Sequence, residues 1–495
     1  MKRSAGNRPV DDGDGRAQLG LGGGALDGDG GDRRMAESDR VTRPVEGKAD
    51  LIDRMLGLSP EEDLEELRAL TRELINYRDN PQMEKHRFEG TRFRGITGYC
   101  GGILPRWERV LVTGGTGCVG HVVLSNLVND LPGARFVSVA RHRPDPERQV
   151  DRVDYRAGDV RNVRQMTAVM QDFRPDLVIH LAAQRSPSLA ELRVAETVST
   201  NVVGSQVILD TAAAAGVGTL VMASTGKAVR LFTGDVYAAT KKLVEYQSAV
   251  STRRYDMNVT CTRFTHVVDN SIVGQRILDW IAADEPILLH SPMVLLPVQS
   301  ALECYQLLMT AGVVAEPGHP KVVALRDLGW PPLTLLDMTL DYLADHPESR
   351  SPIVFTGYPP GYEAEAYPGT YDPLSAGDVS PLVNCMEAPR TIPTPVLGEL
   401  VDHFEMLDGP SPEIDRALEE MTRACGTKRK SDRVLRGILQ NASVALLQHS
   451  MEQAGTDRVA RIRQLGERHD PLIDDHALIH DQLRMLMDSQ LASLG

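Results

Sequence analysis

From Arg109 onward, short runs of β-branched and other apolar residues alternate with longer segments of helical period. The runs are Val110 to Thr113, Phe136 to Ala140, Leu177 to Ala182, Leu220 to Ser224 and Val259 to Phe264. Near-continuous apolar strands separated by helix-length segments predict βαβ units and a parallel sheet covered on both faces, because only a strand buried on both sides dispenses with polar alternation. The expected fold class is therefore α/β, a doubly wound parallel sheet. A smaller domain, built mainly after Phe264, and helical N- and C-terminal extensions complete it.

The flanks read differently. Residues 1–48 are rich in Gly, Asp and Arg with almost no large apolar side chains, so they cannot recover their ordering entropy and are predicted to be disordered. Ser59-Pro60-Glu61-Glu62 reads as a capping box with proline at the first helical position, opening a helix whose Leu64, Leu67, Leu70 and Leu74 form an apolar stripe. It is expected to be a packing or dimer arm. Asn80 to Arg106 has no clear period and reads as a wrapping connection.

Composition then excludes several classes of function. The 54 basic and 68 acidic residues leave a net charge of −14, and Lys428-Arg429-Lys430 is too short a basic run to hold a phosphate backbone, so nucleic acid is not expected as a partner. No run approaches the ~20 apolar residues of a membrane span. The six cysteines lie far apart without a C-x-x-C pair, which argues against a disulfide framework and a zinc cage. Met1 to Val10 runs into Asp and Gly instead of an apolar stretch, so no secretory signal and a cytoplasmic location are expected. The late cluster His469, Asp470, Asp474, Asp475, His476 and His480 reads as a loop and helix cap, with no metal expected.

The chemistry begins directly after the first strand, where Gly114, Gly117 and Gly120 stand at the mouth of a helix. Gly114 permits a tight turn, Gly117 lets the backbone approach a pyrophosphate, and Gly120 lets the helix sit close on the strand. Some 20 residues on, the second strand ends at Ala140-Arg141-His142-Arg143. Arg141 and Arg143 offer bidentate donors to a 2′-phosphate where an acidic side chain would take a ribose hydroxyl, so the expected cofactor is NADP. Asp159, after the third strand, is placed to accept from the adenine amino group or to cap a helix.

Ser224-Thr225 ends a later strand, and Tyr237-Ala-Ala-Thr-Lys241 opens the next helix. The i,i+4 spacing puts phenol and ammonium on one face. A neighbouring cation stabilises a phenolate and makes a group of unperturbed pKa ~10 usable as a base.

With these motifs in order, and with His180-Leu181-Ala182-Ala183 and Thr200-Asn201 between them, the chain from about Arg109 to Tyr371 resembles the extended short-chain dehydrogenase/reductase (SDR) superfamily. Within it, Ser224-Thr225-Gly226-Lys227-Ala228-Val229, Tyr237 to Lys241, and Gly357-Tyr358-Pro359-Pro360-Gly361 resemble the polysaccharide-biosynthesis family of UDP-N-acetylglucosamine 4,6-dehydratases. The resemblance implies a redox-neutral dehydration. Tyr237 would take the sugar 4-hydroxyl proton as hydride leaves C4, Thr225 would orient the hydroxyl, Lys241 would tune Tyr237, and Lys227 would remove the C5 proton. Gly226 stands where the family has the Asp that protonates the departing 6-hydroxyl, and Asp235 lies in a longer segment from which it could substitute.

The expected cofactor contacts are Gly114, Thr116, Gly117, Cys118, Val119, Gly120, Arg141, Arg143, Asp159, Val160, Leu181, Ala182, Ala183, Asn201, Tyr237 and Lys241. Arg185, Thr265 and His266 depart from the family pattern on the substrate side. Three functions stay open: a nucleotide-sugar dehydratase, an NADP-dependent dehydrogenase or reductase of a carbohydrate-like or natural-product alcohol, and a non-catalytic NADP-binding partner subunit. A homodimer paired through long helices is expected. The expected boundaries are 1–48 for the tail, 49–107 for the arm and connection, 108–264 for the NADP-binding domain, 265–392 for the substrate-binding region and 393–495 for a helical extension carrying Leu483, Leu486, Met487, Leu491 and Leu494.

Overall fold

The computed structural model describes residues 47–78, 104–267, 272–296, 298–325, 333–358, 380, 382–384, 386–393, 401–406, 409–427, 431–455 and 485. The tail before Gly47, most of the connection from Asn80 to Arg106, Pro359 to Gly361, Tyr371, Lys428 to Lys430, the histidine cluster at 469–480 and the leucine and methionine period from Leu483 lie outside the described residues.

In chain order, the helices are α1 (Lys48–Leu56), α2 (Leu64–Ile75), α3 (Cys118–Asp130), α4 (Val163–Phe173), α5 (Pro187–Leu192), α6 (Val194–Val198), α7 (Gly204–Ala214), α8 (Val236–Arg254), α9 (Ile272–Ala282), α10 (Ala301–Val313), α11 (Leu335–Asp345), α12 (Pro412–Cys425) and α13 (Asp432–Ala454). Of the strands β1 (Arg109–Thr113), β2 (Arg135–Ala140), β3 (Val153–Ala157), β4 (Leu177–His180), β5 (Thr219–Thr225) and β6 (Asn258–Phe264), all but β3 fall on the apolar runs; β3 has no such run and ends just before Gly158-Asp159, where a third strand is expected. They pair in parallel in the order β3-β2-β1-β4-β5-β6. Chain direction across the sheet reverses between β1 and β4, and in such sheets ligands bind at the carboxyl ends of the strands on either side of that switch.

The sheet does not stop at Phe264. After β7 (His266–Val267), β8 (Ile287–Leu289), β9 (Leu295–Leu296) and β10 (Val298–Gln299), strand β11 (Lys321–Leu325) returns to pair in parallel with β6. Seven strands are then parallel. After β12 (Leu333–Thr334) and β13 (Ile353–Phe355), strands β14 (Thr391–Pro393) and β15 (Val401–Glu405) add an antiparallel edge beyond β11. The block after Pro393 is therefore not purely helical, as its leucine period suggests. Val401-Asp-His-Phe-Glu405 carries no apolar run, and its pairing with β11 is a long-range event.

Two further expectations are corrected. β4 ends at His180 and not at Ala182: the bond from Leu181 N–H to Thr113 O at 3.0 Å is the last rung of its ladder with β1, which itself ends at Thr113. The arm helix starts at Leu64, with Asp63 at its N-cap, because Ser59 closes a separate turn instead of a capping box. The Ser59 hydroxyl accepts Glu61 N–H at 3.4 Å, and Ser59 N–H donates to Asp63 Oδ2 at 2.9 Å.

Apolar side chains fill both faces of the sheet. Val178, Leu220 and Met222 pack under α4, α7 and α8 on one face, and Val112, Ile179 and Val221 pack under α3 and α10 on the other. A second core joins Leu67, Leu70 and Leu74 of α2 to Ile277 and Ile281 of α9 and to Leu336 and Leu340 of α11. The arm is thus part of the small domain, pinned by Lys48 Nζ on Asp337 Oδ1 at 2.9 Å and by Ile353 N–H on Thr71 Oγ1 at 2.9 Å.

One buried ion network ties the late chain to the sheet. Arg263 on β6 is fully buried and donates to both oxygens of Glu245 on α8 (2.9 and 2.7 Å) and of Glu387 (2.8 and 2.7 Å), while its guanidinium lies 5.0 Å from the Phe404 ring centre. Burial opposes its charge, but the two carboxylates outweigh burial and raise its pKa. Removing the cation from such a network leaves uncompensated buried carboxylates. Arg263→Ala is expected to cost about 3–5 kcal/mol in chemical denaturation; a loss below about 1 kcal/mol would mean that Glu245 and Glu387 find other partners.

Candidate active site

The glycine loop after β1 owes its shape to close backbone approach. Gly114 has φ +74°, where a side chain is strained, and a Cβ there would lie 2.8 Å from Ala182 N across the switch point. A Cβ on Gly120 would lie 2.3 Å from Gly114 O, so its absence lets α3 sit on the strand end. Gly117 is the N-cap of α3 and supplies no side chain to the first-turn N–H groups, which begin at Cys118 and Val119. An uncapped helix N-terminus at the switch point fits the pyrophosphate of a dinucleotide. Thr116 follows in the same loop and is half-buried.

Beneath the loop, Thr113 Oγ1 meets His180 Nδ1 at 2.7 Å, and His180 Nε2 meets Ser205 Oγ at 3.2 Å. Burial drives the His180 pKa down to about 3, so the ring is neutral and ties β1 to β4 and α7. Leu181, Ala182 and Ala183 continue from this strand end over the crevice and are half-buried. Asn201 lies in a single π-helical turn, Ser199–Val203, where its side chain donates to Gln184 O (3.0 Å) and Thr240 Oγ1 (3.1 Å) and accepts Gln184 N–H (2.8 Å). It holds the segment after Ala183 against α8.

At the expected adenosine end, Arg141 and Arg143 are exposed, and Arg141 Nη1 is 3.7 Å from Glu196 Oε1. Asp159 holds Arg161 through both oxygens at 2.6 to 3.0 Å, and that bond lowers its pKa; the neighbouring Val160 is buried. Arg161 is a third cation at this end, and the sequence reading did not single it out.

Helix α8 carries both Tyr237 and Lys241. Asp235 caps it, accepting Ala238 N–H on Oδ1 at 2.9 Å and Lys227 Nζ on Oδ2 at 3.0 Å. Tyr237 is partly open, but desolvation pushes its phenol up to about 12, while a hydrogen bond with Thr225 and the charge of Arg185 pull it down. Lys241 donates to Ala223 O at 2.7 Å, and burial lowers its pKa to about 8. Thr225, Arg185, Cys118 and Asp235 thus all lie within electrostatic reach of one phenol, although they come from four separate segments. Arg185 Nη1 also meets Cys118 Sγ.

The remaining substrate-side residues are arranged differently. Thr265 is buried and gives both its N–H (2.7 Å) and its hydroxyl (3.0 Å) to Gln299 Oε1. His266 lies on β7, keeps part of its surface exposed, and has a buried Nε2 without a hydrogen-bond partner; burial lowers its pKa to about 4. His290 packs 6.0 Å from the Tyr358 ring and lies in the field of Lys227. Among the described residues, no cluster of three metal-ligating side chains occurs, and no helix is long and apolar enough to cross a membrane.

The polysaccharide biosynthesis protein family matches residues 110–364, which take in the seven parallel strands from Val110 on, the glycine loop and Tyr237, but not β14 and β15. The chain belongs to that family. Its segment is 30% identical over 172 residues to a UDP-glucose 4-epimerase of Rickettsia canadensis, covering 32% of this chain and 49% of that relative. It is 28% identical over 180 residues to a UDP-N-acetylglucosamine 4,6-dehydratase (inverting) of Campylobacter jejuni, covering 34% and 50%. The chain therefore spans about half the length of these curated relatives. Among solved structures, Pen from Bacillus thuringiensis superimposes with a TM-score of 0.50 at 20% identity, over 62% of this chain and 89% of that one. Helices α12 and α13 lie beyond the family match.

The neutral His180 in this family member makes stability depend on acid. The unfolded ring takes up a proton near pH 6.5 and the folded one only near 3, so the stability that the buried ring contributes is present above pH 6.5 and lost as pH falls. His180→Asn is expected to remove about 2 kcal/mol of the loss that wild type suffers between pH 8 and pH 5, read from urea midpoints. Parallel pH profiles for variant and wild type would refute it.

Proposed function

We propose that this protein is an NADP-dependent enzyme of the extended SDR type that oxidises a hydroxyl of a nucleotide-sugar and proceeds to 4,6-dehydration. The observation that carries the reading is the convergence of Thr225, Arg185 and Cys118 on the Tyr237 phenol from separate segments, with the buried Lys241 one helical turn on, held by Ala223 O. The printed names of the relatives, UDP-glucose 4-epimerase and UDP-N-acetylglucosamine 4,6-dehydratase, support a UDP-sugar as the substrate class.

The glycine loop and the first N–H groups of α3 would hold the pyrophosphate, and Arg141 and Arg143, with Arg161 if released from Asp159, would read a 2′-phosphate. A bound nicotinamide supplies the hydride acceptor and, in a dehydration, gives the same hydride back. Thr225 orients the substrate 4-hydroxyl against Tyr237, which removes its proton. With its pKa pushed up to about 12 Tyr237 holds its own proton at neutral pH; Arg185 pulls in the other direction, and Lys241 on the same helical face would add to that pull. The 4-ketone acidifies C5, and Lys227 is the amine that would take that proton.

Elimination also needs an acid for the 6-hydroxyl. Gly226 provides none, and Asp235 has one oxygen on a helix N–H and the other on Lys227. That engagement favours a second reading, a dehydrogenase that stops at the ketone, or a reductase running the reverse step, in either case without loss of water. Incubation with NADP and a panel of UDP-sugars in deuterated water separates the two. Loss of one water with solvent deuterium retained and no net reduced cofactor supports the dehydratase, stoichiometric reduced cofactor supports the second reading, and neither overturns both.

Two substitutions test the roles directly. Tyr237→Phe is expected to lower turnover about 10²–10⁴-fold with NADP affinity within twofold; turnover near wild type would remove Tyr237 from the chemistry. Arg141→Asp is expected to reverse the preference for NADP over NAD in a binding titration, and an unchanged ratio would refute its role.

A further inference from the structure

Helix α8 begins one residue before Tyr237, and the first N–H groups of a helix have no partner inside it. Asp235 takes the N–H of Ala238. The N–H of Val236 goes instead to Glu191 Oε1 on α5, at 2.7 Å. Glu191 is itself fixed from far along the chain: Arg436 on α13 donates through Nη1 to Glu191 Oε2 at 2.5 Å and through Nη2 to Glu191 O at 2.9 Å. One guanidinium nitrogen thus holds the Glu191 carboxylate while the other holds its backbone carbonyl, so Arg436 fixes where that side chain stands relative to α5.

The same two C-terminal helices grip α8 and its neighbours elsewhere. Asp432 Oδ1 accepts Ala195 N–H at 2.7 Å, and the Tyr246 hydroxyl donates to Asp415 Oδ1 at 2.9 Å while accepting Ser411 N–H at 2.7 Å. Between these polar points, Val236, Ala239 and Leu243 of α8 pack against Leu435, Leu439 and Ala442 of α13. Arg436 lies outside the residues matched by the family, so the wiring is a property of this chain's extension.

We infer that Arg436 and Glu191 are positioning residues for Tyr237: the C-terminal helix pair orients the first turn of the catalytic helix through the relay Arg436–Glu191–Val236 N–H. The inference rests on the reading of Tyr237 as the acid/base. Its physical ground is that a reacting group misplaced by about 1 Å can cost about 100-fold in rate, and Val236 adjoins Tyr237 in the backbone.

The test uses the full chain with tyrosine labelled by ¹³C at the ζ carbon. The Tyr237 resonance is the one missing from Tyr237→Phe, and its observation requires no substrate. Arg436→Ala is expected to move it by more than a line width and Arg436→Lys to restore most of the shift. The Tyr305 resonance, identified in the same way on α10, stays in place. Glu191→Gln keeps the side-chain shape and removes the charge pairing, and it carries the test should Arg436→Ala fail to fold. With UDP-N-acetylglucosamine as the probe, Arg436→Ala is expected to lose about tenfold in kcat with KM within twofold, while Gln440→Ala on the exposed side of α13 behaves as wild type. A Tyr237 resonance unmoved in both Arg436→Ala and Glu191→Gln overturns the relay while leaving the chemistry of Tyr237 standing. Full turnover in Tyr237→Phe overturns the chemistry, and the positioning role with it, whatever the resonance does.

Discussion

The close approach of two strand ends at the switch between β1 and β4 is the constraint on which the site depends. Gly114 packs against Ala182 so tightly that no side chain fits, and the same turn brings Gly120 of α3 onto Gly114. A parallel sheet puts all its strand carboxyl ends on one edge, so the glycine loop after β1, the Ala182-Ala183 segment after β4 and Thr225 at the end of β5 converge without any contact in sequence. Neutral His180 underlies this edge and joins Thr113 to Ser205. Its cost is sensitivity to acid, since a charged ring has no counterion there.

Charge is handled in opposite ways at the two ends of α8. Towards its C-terminal half, Glu245 is buried with Arg263 and Glu387, and Ser224 Oγ donates to it at 2.6 Å, so the end of β5 is locked to α8. At its N-terminus two carboxylates, Asp235 and Glu191, occupy orphan N–H groups where the helix dipole favours negative charge. The phenol between them is desolvated and keeps its proton. Arg185, whose charge pulls the phenol down, meets Cys118 Sγ, and Lys241 donates to Ala223 O.

The regions beyond the family match are built into the structure. The arm helices supply Leu67, Leu70 and Leu74 to the small-domain core, and the late strand β15 extends the main sheet. Helices α12 and α13 cover the outer face of α8 with a continuous apolar contact. A chain trimmed to the family segment would expose both of these surfaces.

The sequence by itself determined the parallel α/β sheet, the glycine loop and the Tyr237–Lys241 pair, because each depends on local periodicity or on spacing within one helix or turn. Glu245 was also within reach, since it lies four residues beyond Lys241 and so on the same helical face. Other features were decided only by tertiary structure. β15 has no apolar run and becomes a strand by pairing with β11; Ser59 offers a capping box, but the helix forms where the leucine stripe can be buried, after Asp63. Asp235, free in sequence to act as an acid, is consumed by Ala238 N–H and Lys227. Glu191 and Arg436 meet across 245 residues, a distance over which periodicity carries no information, and they are joined by the burial of α13 on α8.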